Sequence, residues 1–298
     1  MIRLLYFGTP AIAVQPLQAL QAAEGIEIIG VVTAPLRPVG RHQTLTPSPV
    51  HVAADALGLP VYHAERKKDV LQLLQTLSCD IAVVIAFGVI FPEEALTLPL
   101  HGILNVHFSL LPAYRGASPV QSALLQGDTE SGITVQRMAY AMDTGDVLYQ
   151  EAMSLQHHTT ATAWDAMSTM TAEVLPEIVA EYCSGLLTPM PQDDSAASYC
   201  GKFTRADGEV DCTTHTAEQI LRKYRAFTPW PGVYIEAAMG PVKLLSISPS
   251  PEEDAVPISC AGGTQLYLRT LQIPGKTPAP AMQVLRSYPF LFSTPAGH

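Results

Sequence analysis

The run IAVVIAFGVIF, residues 81–91, contains no charged or polar side chain. It is far shorter than the roughly 20 apolar residues a membrane-spanning helix requires. A strand with one face in water alternates apolar and polar residues, whereas a strand covered on both faces reads as an unbroken apolar run. Residues 81–91 therefore read as a buried strand and not as an anchor. Outward from it, IRLLYFG (2–8), EIIGVVTA (27–34), LPVYH (59–63), DIAVVIAF (80–87) and GILNVHFS (102–109) read as strands. AVQPLQALQAA, SPVHVAADAL, KDVLQLLQTL and PEEALTL lie between them as helical patterns. Strand and helix thus alternate, which predicts an α/β fold with a doubly wound, mostly parallel sheet. Ligands of such sheets bind beyond the carboxyl ends of the strands.

A helix at 118–126, a strand pair near 131–139 and 146–155, and a long helix from TATAWDAM to Cys183 complete a first domain of residues 1–185. LLTPMPQDDSAASYCGKFTR is rich in Pro, Ser and Asp and reads as a surface linker over 186–205. Residues 206–298 then hold one short helix, TAEQILRKYRAF, and strand segments parted by Gly and Pro turns. This pattern predicts a small β-barrel or sandwich domain, with an OB-like β-barrel the expected form.

The 298-residue chain, with 48% hydrophobic and 15% charged residues, has the composition of a globular protein of about two domains. Met1 leads directly into a strand pattern with no basic segment and apolar leader, so a cytoplasmic location is expected. Five cysteines without CxxC spacing fit reduced thiols, and the His157-His158 pair lacks companion ligands, so no metal is expected. The net charge is −10, yet the residues from 201 onward carry nine basic and eight acidic side chains. The acidity lies in the first 200 residues, and composition alone does not favour RNA.

The first strand–helix turn, YFGTPAIAV, lacks GxGxxG, and neither GxxxxGK[ST] nor GxSxG occurs. Dinucleotide, P-loop and serine-hydrolase readings therefore fall away. Polar groups gather instead in NVHFS, YRGASP (114–119) and MDTGD (142–146). In a strand Asn105, His107 and Ser109 share one side, while Val106 and Phe108 share the other. Alone, a His near an amide is more often a hydrogen-bonded structural group, and an Asp in a turn more often bonds its own backbone. A loop following the next strand can, however, reach the end of the NVHFS strand and pair Asp143 with His107.

NVHFSLLPAYRGASPVQ and AYAMDTGDVL resemble the signature of the 10-formyltetrahydrofolate-dependent formyltransferases. GTP (8–10), SPV (48–50), AFGVIFP (86–92), FTPWPGVYIE (227–236), VKLLS and LQIPGK extend the resemblance along nearly the whole chain, toward the branch that formylates methionyl-tRNA. The resemblance implies catalytic roles for Asn105, His107 and Asp143. It implies a folate pocket lined by Phe87, Gly88, Val89, Ser109, Leu110, Leu111, Pro112 and the backbone from Met138 to Met142. It also implies methionyl-initiator tRNA as acceptor, 10-formyltetrahydrofolate as cosubstrate, and a role in translation initiation. Arg37 and Arg41 lie in the loop that enters the tRNA acceptor end in that family, and Lys202, Lys223 and Arg225 would add phosphate contacts. In this chemistry Asn105 and a His107 N–H donate to the formyl oxygen, while Asp143 orients His107 and pairs with its protonated form. A sugar-amine N-formyltransferase and a noncatalytic folate- or RNA-binding module stand as the alternatives, since fold and trio do not fix the acceptor.

Overall fold

A computed structural model of the chain describes residues 1–40, 43–289 and 291–292. The chain divides into one unit of Met1–Pro119, Glu130–Ser154 and Ala163–Cys200, and another of Val120–Thr129, Leu155–Thr162 and Gly201–His298. Among the described residues no helix is long and apolar enough to cross a membrane.

The first unit is built on strands β1 (Ile2–Gly8), β2 (Ile26–Thr33), β3 (Val61–His63), β4 (Ile81–Ile85), β5 (Ile103–His107), β6 (Glu130–Arg137) and β7 (Val147–Ser154). Their order is β7-β6-β5-β4-β1-β2-β3. The first five strands are parallel, and β6 and β7 are added antiparallel. Burial explains the apolar runs: Leu4 to Phe7 of β1 have no exposed surface, and every residue of β4 is buried. Helices α1 (Val14–Ala22), α2 (Pro49–Ala56) and α3 (Lys67–Thr76) form the crossovers. Ser48 caps α2 by accepting from the His51 N–H at 3.0 Å, and its hydroxyl meets Thr33 Oγ1 at 2.7 Å. The start of that helix is thereby tied to the end of β2.

Two features differ from the sequence expectation. PEEALTL makes only a 3₁₀ turn at Glu93–Ala95, since Pro92 and Pro99 bracket too few residues for a longer helix. The loop after β2 holds a short antiparallel pair, Arg37–Val39 with Thr44–Thr46.

In the second unit, β8 (Val233–Ala237), β9 (Gly240–Ser248), β10 (Val256–Ser259), β11 (Gln265–Gln272) and β12 (Ala279–Pro280) form an antiparallel sheet of order β8-β9-β11-β10, with β12 also paired to β11. Helix α4 (Ala217–Phe227) starts with a reciprocal cap between Thr216 and Gln219 and buries Ile220, Ala226 and Phe227. The expected OB-like barrel does not close. One edge of β11 is taken by β9, and the other is shared by β10 at Gln265–Leu268 and β12 at Thr270–Leu271. Among the described residues no pairing joins β8 to β10, so the strands remain an open sheet.

Candidate active site

β5 ends at His107, and the chain leaves the sheet through Phe108 and Ser109. Its register sets Asn105 opposite Gln136 and His107 opposite Thr134 of β6. The Asn105 side chain is half-buried and has no hydrogen-bond partner among the described residues. His107 is buried, with Nε2 2.9 Å from the Tyr114 carbonyl and Nδ1 3.7 Å from Asp143 Oδ1. A carbonyl can only accept, so Nε2 carries a proton and Nδ1 is the nitrogen turned toward the carboxylate.

Asp143 has a φ of +54°, in the left-handed region that non-glycine residues seldom occupy. Its Oδ2 accepts from the Gly116 N–H at 2.9 Å and its Oδ1 from Gln136 Nε2 at 3.0 Å. The Gln136 Oε1 in turn accepts from the Gly145 N–H at 3.1 Å. Two glycines make these approaches possible. A Cβ on Gly116 would meet the Cys200 carbonyl oxygen at 2.0 Å, and one on Gly145 would meet the Arg137 carbonyl oxygen at 1.8 Å. The trio expected from sequence is thus gathered at the end of one strand.

The expected pocket residues contribute in different ways. The Phe87 ring is buried in an edge-to-face cluster with Phe7 and Phe91, at centroid distances of 5.4 and 6.2 Å. Gly88 is exposed at φ +85° with open space where a Cβ would be, so this loop offers backbone rather than the Phe87 ring. Val89 and Met138 pack half-buried against the same core, and Met142 is exposed. The turn from Ser109 to Pro112 is held from inside. Ser109 Oγ donates to the Ala113 carbonyl at 2.6 Å, Thr134 Oγ1 donates to the Ser109 carbonyl at 2.6 Å, and Gln150 Nε2 donates to the Leu111 carbonyl at 2.7 Å. Leu110 and Pro112 are the partly exposed members of this turn.

Of the expected RNA-contacting residues, Arg37 is exposed in the first unit and faces Glu65 at 3.6 Å. Arg41 lies outside the described residues. In the second unit Lys202 is exposed, while Lys223 Nζ donates to the Glu209 carbonyl at 2.7 Å. Burial lowers the Lys223 pKa against the opposing pull of Asp207 and Glu209. Arg225 donates Nε to the His158 carbonyl at 2.8 Å and Nη2 to the Leu155 carbonyl, and burial lowers its pKa, with Arg222 adding to the effect.

Four partners of the trio escape a reading of the sequence: the Tyr114 carbonyl, the Gly116 N–H, Gln136 and Gln192. Gln136 alone had a usable signal, since strand register puts it beside Asn105.

The family model for formyl transferase matches residues 2–179, and that for the formyl transferase C-terminal domain matches residues 202–289. The chain belongs to the formyl transferase family. Family members of similar sequence include the methionyl-tRNA formyltransferase of Granulibacter bethesdensis, 39% identical over 96% of this chain and 94% of that protein. That of Gluconacetobacter diazotrophicus is 39% identical over 99% of this chain and all of its own length. Among solved structures, HypX from Aquifex aeolicus in complex with tetrahydrofolic acid superposes with a TM-score of 0.67 at 16% identity, a likeness of fold. That match covers 96% of this chain and 47% of HypX, so the chain spans about half the length of that neighbour. The formyl transferase fold accounts for the mostly parallel sheet, followed here by the antiparallel sheet of the second unit.

Proposed function

We propose that the protein transfers a formyl group from 10-formyltetrahydrofolate to the α-amine of methionine esterified to initiator tRNA, at a site made of Asn105, His107 and Asp143. The observation that carries this reading is the full-length similarity, at 39% identity, to proteins named methionyl-tRNA formyltransferase. In the reaction a bond forms between the amine nitrogen and the formyl carbon, the bond from that carbon to the folate nitrogen breaks, and a proton passes from the amine to the departing nitrogen. The Asn105 amide, without a hydrogen-bond partner among the described residues, is available to donate to the formyl oxygen as negative charge collects there. Preorganised donors of this kind typically contribute about 10²–10³ in rate.

Because Nε2 of His107 is bonded to the Tyr114 carbonyl, Nδ1 is the ring nitrogen that exchanges a proton, with Asp143 at hand to balance the charge. The backbone at Phe87–Val89 and Met138–Met142, with the turn from Ser109 through Leu110 and Leu111 to Pro112, lines the donor pocket; exposed Gly88 supports close approach there. Catalysis belongs to residues 1–185, the linker to 186–205, and tRNA binding to 206–298 together with Arg37 and Arg41. Lys202 is the most available cation of that set in the second unit, whereas Lys223 and Arg225 already serve carbonyl groups. We place this activity in the cytoplasm, in translation initiation. The test is transfer of labelled formyl from 10-formyltetrahydrofolate to methionyl-initiator tRNA, beside nucleotide-linked amino sugars. Label must enter the tRNA; label entering only the sugars would overturn the acceptor.

A further inference from the structure

Gln192 lies well beyond the signature segments, yet all four of its side-chain hydrogen-bonding positions are engaged around the trio. Its Nε2 donates to the Asp143 carbonyl at 2.9 Å and to the Gly145 carbonyl at 2.7 Å. Its Oε1 accepts from Arg115 Nε at 3.0 Å and Nη2 at 2.8 Å. Arg115 is buried, and its Nη2 also reaches Asp194 Oδ1 at 2.7 Å. Gln192 therefore adds a second tie between two segments that already meet through the Gly116 N–H on Asp143 Oδ2. One is the turn bearing Asp143, which faces Nδ1 of His107. The other runs from Tyr114 to Gly116 and supplies the carbonyl at Nε2 and the N–H on Asp143 Oδ2.

The neighbouring residues strengthen the tie to the second segment. Ser198 Oγ accepts from the Tyr114 N–H at 2.8 Å, the Ser198 carbonyl accepts from the Arg115 N–H at 2.8 Å, and Cys200 Sγ donates to the Tyr114 carbonyl at 3.3 Å. Gln192, by contrast, hydrogen-bonds both segments through one side chain. An Asp at positive φ persists where its surroundings hold it there. The two donors on the Asp143 and Gly145 carbonyls are such a restraint.

We infer that Gln192 is a positioning residue for formyl transfer, holding the Asp143 turn in register with His107. This rests on the reading of Asp143 as catalytic. The amide is required at this position because its two ends do different work. A glutamate would keep the oxygens that Arg115 bonds and add an ion pair, but it would set carboxylate oxygens against the Asp143 and Gly145 carbonyls. Gln192→Glu therefore removes the donors while retaining the anchor on Arg115.

The experiment measures kcat and both KM values for wild type, Gln192→Glu, Gln192→Ala, Asp143→Ala and the Gln192→Glu/Asp143→Ala double variant, with urea midpoints alongside. Gln192→Glu is expected to lower kcat on the order of 10²-fold, the typical consequence of displacing a reacting group by about 1 Å. KM for the formyl donor should stay at its wild-type value. In the Asp143→Ala background the second substitution should cost nothing further, because the two residues act as one unit. Should Gln192→Ala fail to fold, Gln192→Glu, with its retained Arg115 contact, decides. Asp143→Ala inactive beside Gln192→Glu at wild-type kcat would overturn the positioning role alone. A full additional loss in the double variant would overturn it equally, whereas wild-type kcat in Asp143→Ala would remove the catalytic assignment beneath it.

Discussion

Asp143→Asn deletes one charge and turns one acceptor into a donor at the most densely bonded carboxylate of the site. In the wild-type protein the Gly116 N–H and Gln136 Nε2 each have an oxygen of their own, at 2.9 and 3.0 Å. An asparagine oxygen can serve one of them, and its NH₂ then faces the other donor. Turning Gln136 over moves the conflict without removing it, because its Oε1 already holds the Gly145 N–H at 3.1 Å. One buried donor must lose its acceptor in every arrangement. Hydrogen bonds to a charged group contribute about 1.5–3 kcal/mol each, and the surviving bond falls to neutral strength, so a loss of about 2–3 kcal/mol in unfolding free energy is expected. Nδ1 of His107, 3.7 Å from Oδ1, loses the carboxylate that balances its proton. General acid–base assistance is typically worth about 10²–10⁴ in rate, and kcat should fall within that range. The assay pairs urea unfolding with initial rates at saturating substrates. Stability within about 0.5 kcal/mol of wild type, the usual effect of an unconnected surface change, together with unchanged kcat would refute the reasoning.

Three further outcomes follow from the structure. Phe87→Ala removes a buried ring from the Phe7–Phe91 cluster and should cost about 3–5 kcal/mol in urea unfolding; a change below 1 kcal/mol would show that the ring is not packed there. Arg225→Ala strips the Leu155 and His158 carbonyls of a charged donor and should destabilise the second unit by about 1.5–3 kcal/mol, whatever it does to tRNA affinity, as thermal melting would reveal. Burial, then the charge of neighbouring His51, lowers the His63 pKa below its ordinary 6.5. The unfolded chain therefore binds the proton first, and stability declines as pH falls below about 6.5 toward the lowered folded value. His63→Gln should flatten that limb of the urea-midpoint profile, and an identical slope in the variant would contradict the assignment.

The sheet was legible because burial on both faces leaves a mark on sequence: Ile81–Ile85 and Leu4–Phe7 are apolar at every position. Strand period put Asn105 and His107 on one side and the turn after the next strand put Asp143 within reach, but it was the family resemblance that singled these three out as candidates. The Tyr114 carbonyl and the Gly116 N–H were not, since backbone groups have no residue type to betray them. Gln192 sits 49 residues from Asp143 in a segment that reads as linker, and nothing local distinguishes it from a solvated amide. Arg225 likewise reads as a surface cation, although its partners are carbonyls 67 and 70 residues earlier. Strand texture in the C-terminal region revealed strands but not their closure, because closure depends on which edges meet, and β10 and β12 divide one edge of β11.

The central claim is that the buried His107, held between the Tyr114 carbonyl and Asp143, moves the proton during formyl transfer while Asn105 steadies the formyl oxygen. Its most direct test is the single-turnover rate of formyl-methionyl-tRNA formation by wild type, His107→Ala and Asn105→Ala, with donor affinity measured on the same samples. Losses of about 10²-fold or more in each variant at unchanged donor affinity are predicted. Wild-type rates in either would contradict the role given to that residue, and wild-type rates in both would remove the site.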